Sequence, residues 1–373
     1  MANNTARLGD LATYVNGYAF KPSDWGDTGL PIIRIQDLTG NSYQLNRYEG
    51  GYPARIEVND GDVLISWSAS LGVYVWQRGK ALLNQHIFKV VFDKLPINKD
   101  YFVFAVEHKL AEMESKTHGA TMKHIVKKDF DSTIIPYPAI EKQAEIAERL
   151  RRITALIEKQ KEQLLLLDQL VKSRFIELFG DPQSNPYGYQ YAKLSDIATY
   201  FNGLTYKPEN VAEEGTIVLR SSNIQNSQLD FADTVRVDCA IKERLMVQEN
   251  DILMCSRNGS AKLVGKVALI KGIQEPMSFG AFMMIIRSQY FGYLMTYFQM
   301  DAFRQQIKTG ATTTINQITG RMLDDVTIPL PPMALVDQFT AFIEQTDKSK
   351  LAIQRSLEKL ELLKKSLMQQ YFG

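Results

Sequence analysis

The 373 residues are 45% hydrophobic and 23% charged, the balance of an ordinary folded protein, and their number favours two or three domains over one. A net charge of +1 gives none of the basic excess usual in a dedicated nucleic-acid binder, no apolar run is long enough to span a membrane, and the opening MANNTARLGD lacks a secretory signal. Two cysteines, Cys239 and Cys255, form neither a disulfide framework nor a metal cluster, so the expected location is the cytoplasm and the expected metal content is none.

In chain order, the first stretch is strand-rich. VLIS (63–66), HIFKVVF (86–92) and TIIPYP (133–138) are short β-branched or aromatic runs bounded by Gly, Asn, Asp and Pro. A helix is expected at 99–116. A Pro-marked boundary then opens residues 140–179, which contain neither Gly nor Pro. After Phe179-Gly180-Asp181-Pro182 the same order returns: strands in TIVLR (216–220), DILMC (251–255) and AFMMIIR (281–287), a helix around 289–308, and a final helix after Pro331.

The two long helices have a seam of 3.5-residue period. In the first it runs Ile146, Leu150, Ile153, Ile157, Gln160, Leu164, Leu167, Val171, Arg174, Leu178. In the second it runs Phe339, Ile343, Thr346, Lys350, Ile353, Leu357, Leu360, Lys364, Leu367, Tyr371. A 40-residue helix is roughly 60 Å long and does not bury such a stripe alone, so antiparallel pairing of the two within the chain is expected, with ordinary core helices or a homodimer interface as the other readings of the seams. Lys350 and Lys364 interrupt the second seam, which leaves them open to a partner subunit or to phosphates.

This order reflects an internal repeat. LGDLATYVNGYAFKP (8–22) and LSDIATYFNGLTYKP (194–208) agree at nine of fifteen positions without a gap. GDVLIS (61–66) then matches NDILMC (250–255), HGAT (118–121) matches TGAT (309–312), IPYP (135–138) matches IPLP (328–331), and KSRFIELFG (172–180) matches KSLMQQYFG (365–373). The chain is one unit of roughly 190 residues written twice. The predicted architecture is α+β: a mixed α/β domain at 1–138, a long spacer helix at 139–180, a second domain at 181–331 and a second spacer helix at 332–373.

Apparent catalytic motifs fail on spacing. GSAKLVGKV (259–267) has five residues between its glycines where a phosphate-binding loop has four, and Val267 stands where Ser or Thr is required. NPYG (185–188) reads as a turn. His86, His108, His118 and His124 lack ligand spacing, and no nucleophile–base set is apparent, so no catalytic residue is assigned.

Sequence reading on DNA needs polar side chains projected to base edges from rigid elements, with basic groups on phosphates. Three corresponding places fit in each copy. At the first, Arg34, Gln36 and Asp37 match Arg220, Ser221, Ser222 and Asn223. At the second, Ser66, Trp67, Ser68 and Ser70 match Ser256, Arg257, Asn258, Ser260 and Lys262. At the third, Lys116, His118, Thr121, Lys123, His124 and Lys127 match Lys308, Thr309, Thr312, Thr313, Thr314, Asn316 and Gln317. The shared Tyr14, Asn16, Gly17 and Pro22 and their equivalents are assigned to fold maintenance, whereas these three segments differ between copies.

The doubled LGD/LSD-x-A-x-Y-x-N-G start, the TGAT-like turn, the I-P-x-P entry to a long helix and the F-G-D-P exit resemble the specificity subunits of Type I restriction-modification systems, over the whole chain. The resemblance implies two target-recognition domains that each bind half of a bipartite double-stranded DNA site, with an antiparallel coiled coil as the ruler between them. It implies two modification (methyltransferase) subunits as partners, and ATP-dependent restriction subunits as further ones. S-adenosylmethionine, ATP and Mg2+ would belong to those partners, with no cofactor and no catalysis in this chain. Two other readings stay open at this point: a stand-alone DNA-binding regulator, and a coiled-coil adaptor for proteins.

Overall fold

Val63, Leu64, Ile65 and Ser66 form a strand buried on both faces, because Val63 and Ile65 enter one apolar core while Leu64 enters another. That is why the run is continuously apolar rather than alternating. The structure, a computed structural model, describes residues 4–40, 46–116, 125–308 and 316–373. It divides into two compact units, Met1–Glu162 with Gln354–Gly373, and Gln163–Ile353.

In the first unit, Val63–Ser66 belongs to an antiparallel sheet ordered Thr13–Asn16, Ile87–Val91, Val63–Ser66, Gly72–Val75. A second sheet, ordered Arg47–Tyr48, Leu30–Ile33, Ala81–Leu83, Glu57–Val58, contains one parallel pair, Leu30–Ile33 with Ala81–Leu83. The second unit repeats the antiparallel sheet and the order of three strands of the mixed one, whose fourth strand lies on the opposite edge. Thr199–Asn202, Met283–Arg287, Ile252–Cys255 and Val267–Leu269 form the antiparallel sheet, and Val211–Ala212, Arg236–Val237, Thr216–Leu219 and Met277–Phe279 form the mixed one. The I-P-x-P segments close each unit as short strands: Ile134–Pro136 pairs with Thr5–Arg7, and Thr327–Pro329 with Tyr191–Lys193.

The repeated Gly17 and Gly203 sit where two backbones touch. A Cβ on Gly17 would lie 1.9 Å from the Asn84 carbonyl oxygen, and one on Gly203 would lie 2.2 Å from that of Phe279. Glycine is required there by space. Tyr14 Oη donates to the Leu8 carbonyl at 2.8 Å from inside the first core, and burial pushes its pKa up.

The expected helix at 99–116 is Lys99–Lys116. Its counterpart is not one helix but two, Phe291–Tyr297 and Asp301–Lys308, joined by tight turns at Gln299 and Met300. NPYG is a turn closed by Gly188 N donating to the Asn185 carbonyl at 2.9 Å. The glycines of GSAKLVGKV lie in turns that lead into the strand Val267–Leu269, so no helix N-terminus follows them.

The long helices are Ile140–Phe179 and Met333–Phe372. Each starts just after a proline-containing segment, and the first stops at Gly180, whose φ of 73° is the left-handed conformation of a helix end. Within the first unit, Ile146, Leu150, Ile153 and Ile157 are buried and Leu357, Leu360 and Leu367 half-buried. There the helices run antiparallel, with Arg149 Nη1 donating to Tyr371 Oη at 2.8 Å and Gln160 Nε2 to Ser356 Oγ at 2.7 Å. Within the second unit, Leu164, Leu167, Val171, Ile343 and Ile353 are half-buried, and Phe175 packs on Phe339 with ring centres 5.6 Å apart.

The two lysines on the second seam are engaged inside their own units, which corrects the expectation that they face a partner or phosphates. Lys350 Nζ lies 2.6 Å from Asp168, and Lys364 Nζ lies 3.1 Å from Glu107 and over the Phe104 ring. The Lys364 ammonium lies over an aromatic ring, and both ammonium groups find a carboxylate at the seam edge.

The end of each helix completes a core. Phe372 is fully buried in the first unit against Tyr101, with ring centres 5.1 Å apart. Phe175 and Phe179 are buried in the second, around Tyr293. The boundary between compact units therefore falls within both long helices rather than at their ends.

Candidate nucleic-acid interface

In the second unit the strand Thr216–Leu219 ends at Arg220, and the strand Ile252–Cys255 ends at Ser256. The chain at 316–318 runs beside them, so parts of all three predicted segments meet. Ile318 N donates to the Ser256 carbonyl at 2.7 Å, and Arg257 and Gln317 form an isolated bridge. Asn258 Nδ2 reaches Ser221 Oγ at 3.3 Å, which ties the second segment to the first. Asn316 Nδ2 reaches the Gly259 carbonyl at 3.3 Å, which ties the third to the second.

Arg257 is the exposed centre of this cluster. Its Nε and Nη2 donate to Gln317 Oε1 at 3.1 and 2.7 Å, and its guanidinium lies 5.7 Å from the centre of the Phe282 ring. On one side is a cleft of about 340 Å³ lined by Tyr206, Arg220, Ser222 and Asn258; on the other is one of about 380 Å³ lined by Asn202, Gln317 and Thr319. Arg257 and Phe282 line both. Arg220 is held by Asp233, 2.7 Å from its Nη2. Ser260 and Lys262 are exposed on the adjoining turn.

The first unit places its segments on the same strand ends with other chemistry. Arg34 lies over the exposed Trp25 ring at 5.6 Å, and Gln36 and Ser70 are exposed. Trp67, which occupies the place of Arg257, is half-buried, stacked on Phe88 at 5.5 Å and edge-on to His86 at 5.0 Å. Lys127 pairs with Asp131 at 2.7 Å and covers the Tyr14 ring.

Five of the expected contact residues turn inward, a correction to their assignment as readers. Asp37 is buried and its Oδ2 accepts from Arg34 N at 2.8 Å, and Asn223 makes the matching bond to Arg220 N at 2.8 Å while donating to the Asp230 and Asp233 carbonyls. Ser66 donates to the Ser70 carbonyl at 2.6 Å, Ser256 donates to the Phe282 carbonyl at 2.9 Å, and Ser68 is buried. A buried polar group must spend its bonds internally, and these shape the loops that carry the exposed side chains. His118, Thr121, Lys123, His124, Thr309, Thr312, Thr313 and Thr314, and the side chains of Lys116 and Lys308, lie outside the described residues.

Thr205, Tyr206 and Phe282 escaped the sequence reading. Phe282 is 59% exposed at the turn between two core strands. The signal was a large aromatic directly after Gly280-Ala281, where the strand runs on either side are fully buried. Among the described residues no group of three or more His, Cys, Asp or Glu is arranged to hold a metal ion, and burial pushes the Cys255 thiol up, away from the reactive thiolate. No described helix is long and apolar enough to cross a membrane.

Residues 3–167 and 186–363 each match the family described as Type I restriction modification DNA specificity domain. The specificity subunit of the Type I restriction enzyme EcoBI of Escherichia coli is 24% identical over 303 residues, 73% of this chain and 62% of that protein. That of EcoKI, from strain K12, is 26% identical over 196 residues, 49% of this chain and 42% of that protein. The chain thus spans less than two thirds of these two relatives. It spans 90% of the MjaVIII specificity subunit of Methanocaldococcus jannaschii, which is 23% identical over 391 residues. Among solved structures, the S subunit of a Type I restriction-modification system from M. genitalium matches with a TM-score of 0.60 at 14% identity, covering 99% of this chain and 96% of that one. A chain from a study of assembly and conformational transition of the type I R-M system matches at 0.57 and 16%, covering 99% and 97%. At these identities the structural likeness is one of fold. With both repeats matched across most of its length, the chain belongs to the Type I restriction-modification DNA specificity family.

Proposed function

We propose that this chain chooses the DNA sites of a Type I restriction-modification complex, each unit reading one half of a bipartite double-stranded site. The observation that carries the reading is one antiparallel sheet built twice, and a closely related mixed sheet beside it, with unlike side chains at the same strand ends. Arg257, Asn258 and Gln317 stand in the second unit where the first presents Trp67 and Ser68. Two copies of one scaffold with different surfaces suit two different short sequences. Adenine methylation and cleavage then fall to modification and restriction subunits, which bring S-adenosylmethionine, ATP and Mg2+. This chain positions them and turns over nothing itself, in the cytoplasm where the DNA lies. The near-neutral charge supports that division, since partners then supply most of the phosphate neutralisation.

The test is to map N6-methyladenine in the genome of a host carrying the modification subunits, with and without this gene. A bipartite methylated motif is expected only with the gene. An unchanged methylome, with the modification subunits demonstrably active, would refute the reading. Tight specific DNA binding by the purified chain alone would favour a stand-alone regulator instead.

A further inference from the structure

We propose that Arg257 reads a guanine in the half-site taken by the second unit, with Gln317 as the positioning residue that sets its orientation. The inference rests on the specificity-subunit reading and adds a base to it. A guanidinium has five N–H donors in a fixed plane. Gln317 Oε1 takes Nε–H and one hydrogen of Nη2, at 3.1 and 2.7 Å, and so occupies the side edge of the group. The terminal edge, Nη1 with the second hydrogen of Nη2, has no partner among the described residues. Those two parallel donors match O6 and N7 of guanine in the major groove.

The group is also held in place. Arg257 N donates to the Phe282 carbonyl at 3.0 Å, and the Phe282 ring lies against the guanidinium. A phosphate can take the same edge from an arginine side chain, but a backbone nest to seat one would need free N–H groups. Here the amides of Arg257, Asn258 and Ser260 are already bonded to Phe282 O, Asn316 O and Asn258 Oδ1. The clefts on either side offer polar side chains, Ser222 and Asn258 on one and Asn202 and Thr319 on the other, which suits the edges of neighbouring bases. The first unit has Trp67 at this place, packed on Phe88, so this guanine contact belongs to the second unit's half-site alone.

The chain and its variants R257A, R257K, Q317A and Q317E are each co-produced with the modification subunits in a host free of other adenine methylation, and N6-methyladenine is mapped genome-wide. The unaltered chain gives a motif with guanine at one position of one half-site. R257A and R257K accept other bases at that position alone, the preference for guanine falling about 10- to 100-fold. Q317A loosens the same position, and Q317E, which keeps an acceptor for the guanidinium, restores it. The proposal is overturned if R257A leaves the motif unchanged, or if the loosened position is not guanine. It is equally overturned if the variants lower methylation evenly over all sequences or abolish it together, the signature of a phosphate contact. An unaltered chain that directs no bipartite methylation would instead remove the specificity-subunit reading beneath it.

Discussion

Arg287 shows how one side chain separates two otherwise parallel units. Its Nε and Nη2 grip both oxygens of the buried Asp251 at 2.7 Å each, and Asp251 also accepts from Gln248 N at 2.7 Å. The corresponding Asp62 accepts from Asn59 N at 2.9 Å and is only half-buried. Removing Arg287 strands a buried carboxylate, so R287A should destabilise the second unit by about 3 kcal/mol. Hydrogen exchange should show protection falling in Ile252–Cys255 and Met283–Arg287 and holding in Val63–Ser66; an equal loss in both units would contradict the assignment. At this scale the sequence was only half legible. Arg34-x-x-Asp37 and Arg220-x-x-Asn223 have the same spacing in both copies, because an Asx side chain three residues on bonds the Arg backbone N–H. Read as polar residues after a strand, they resembled base readers; the shared spacing was the mark of a turn. Arg257 and Gln317 could be nominated from sequence, but their bond could not, since 60 residues separate them.

The two long helices were the most legible elements. Forty residues without Gly or Pro, with a 3.5-residue seam, leave few alternatives, and the exposed Leu165, Leu166 and Leu170 fall off that seam. What periodicity does not reveal is how a lysine on the seam is accommodated, because Asp168 and Glu107 are remote in sequence from Lys350 and Lys364. The pairing of Gln160 with Ser356 marks where both helices can be lengthened in register. Seven residues inserted into each helix there keep the heptad phase and add about 10 Å of helix, the rise of roughly three base pairs. If the helices act as the ruler, the unspecific spacer of the methylated motif should lengthen by about three base pairs while both half-sites keep their bases. Altered half-site bases would show that the helices do more than set distance.

At the scale of the whole molecule, the doubled unit was legible from aligned residues, and the antiparallel sheets of the two units share one strand order. Hidden from the sequence was which core the end of each long helix would close. KSRFIELFG and KSLMQQYFG are alike as strings, yet Phe179 is buried in the second unit and Phe372 in the first. A repeat tells how a segment folds and not which copy it packs against. Deleting residues 354–373 should therefore damage the remote first unit, with amide protection lost in Thr13–Asn16 and Ile87–Val91 and kept in Thr199–Asn202 and Met283–Arg287. Equal protection in both would contradict the division into Met1–Glu162 with Gln354–Gly373.

The burial of Met368 and Phe372 beside Leu8, Tyr101 and Leu150 bears on synthesis. On the ribosome, the first unit waits for roughly 190 residues to be made before its last core side chains arrive. At bacterial-type speeds of about 5–20 residues per second, that is roughly 10–40 s during which an emerging chain exposes an unfilled apolar seat. The first unit therefore completes its core only after the second has been made. A stalled or prematurely stopped chain would carry that vacant seat.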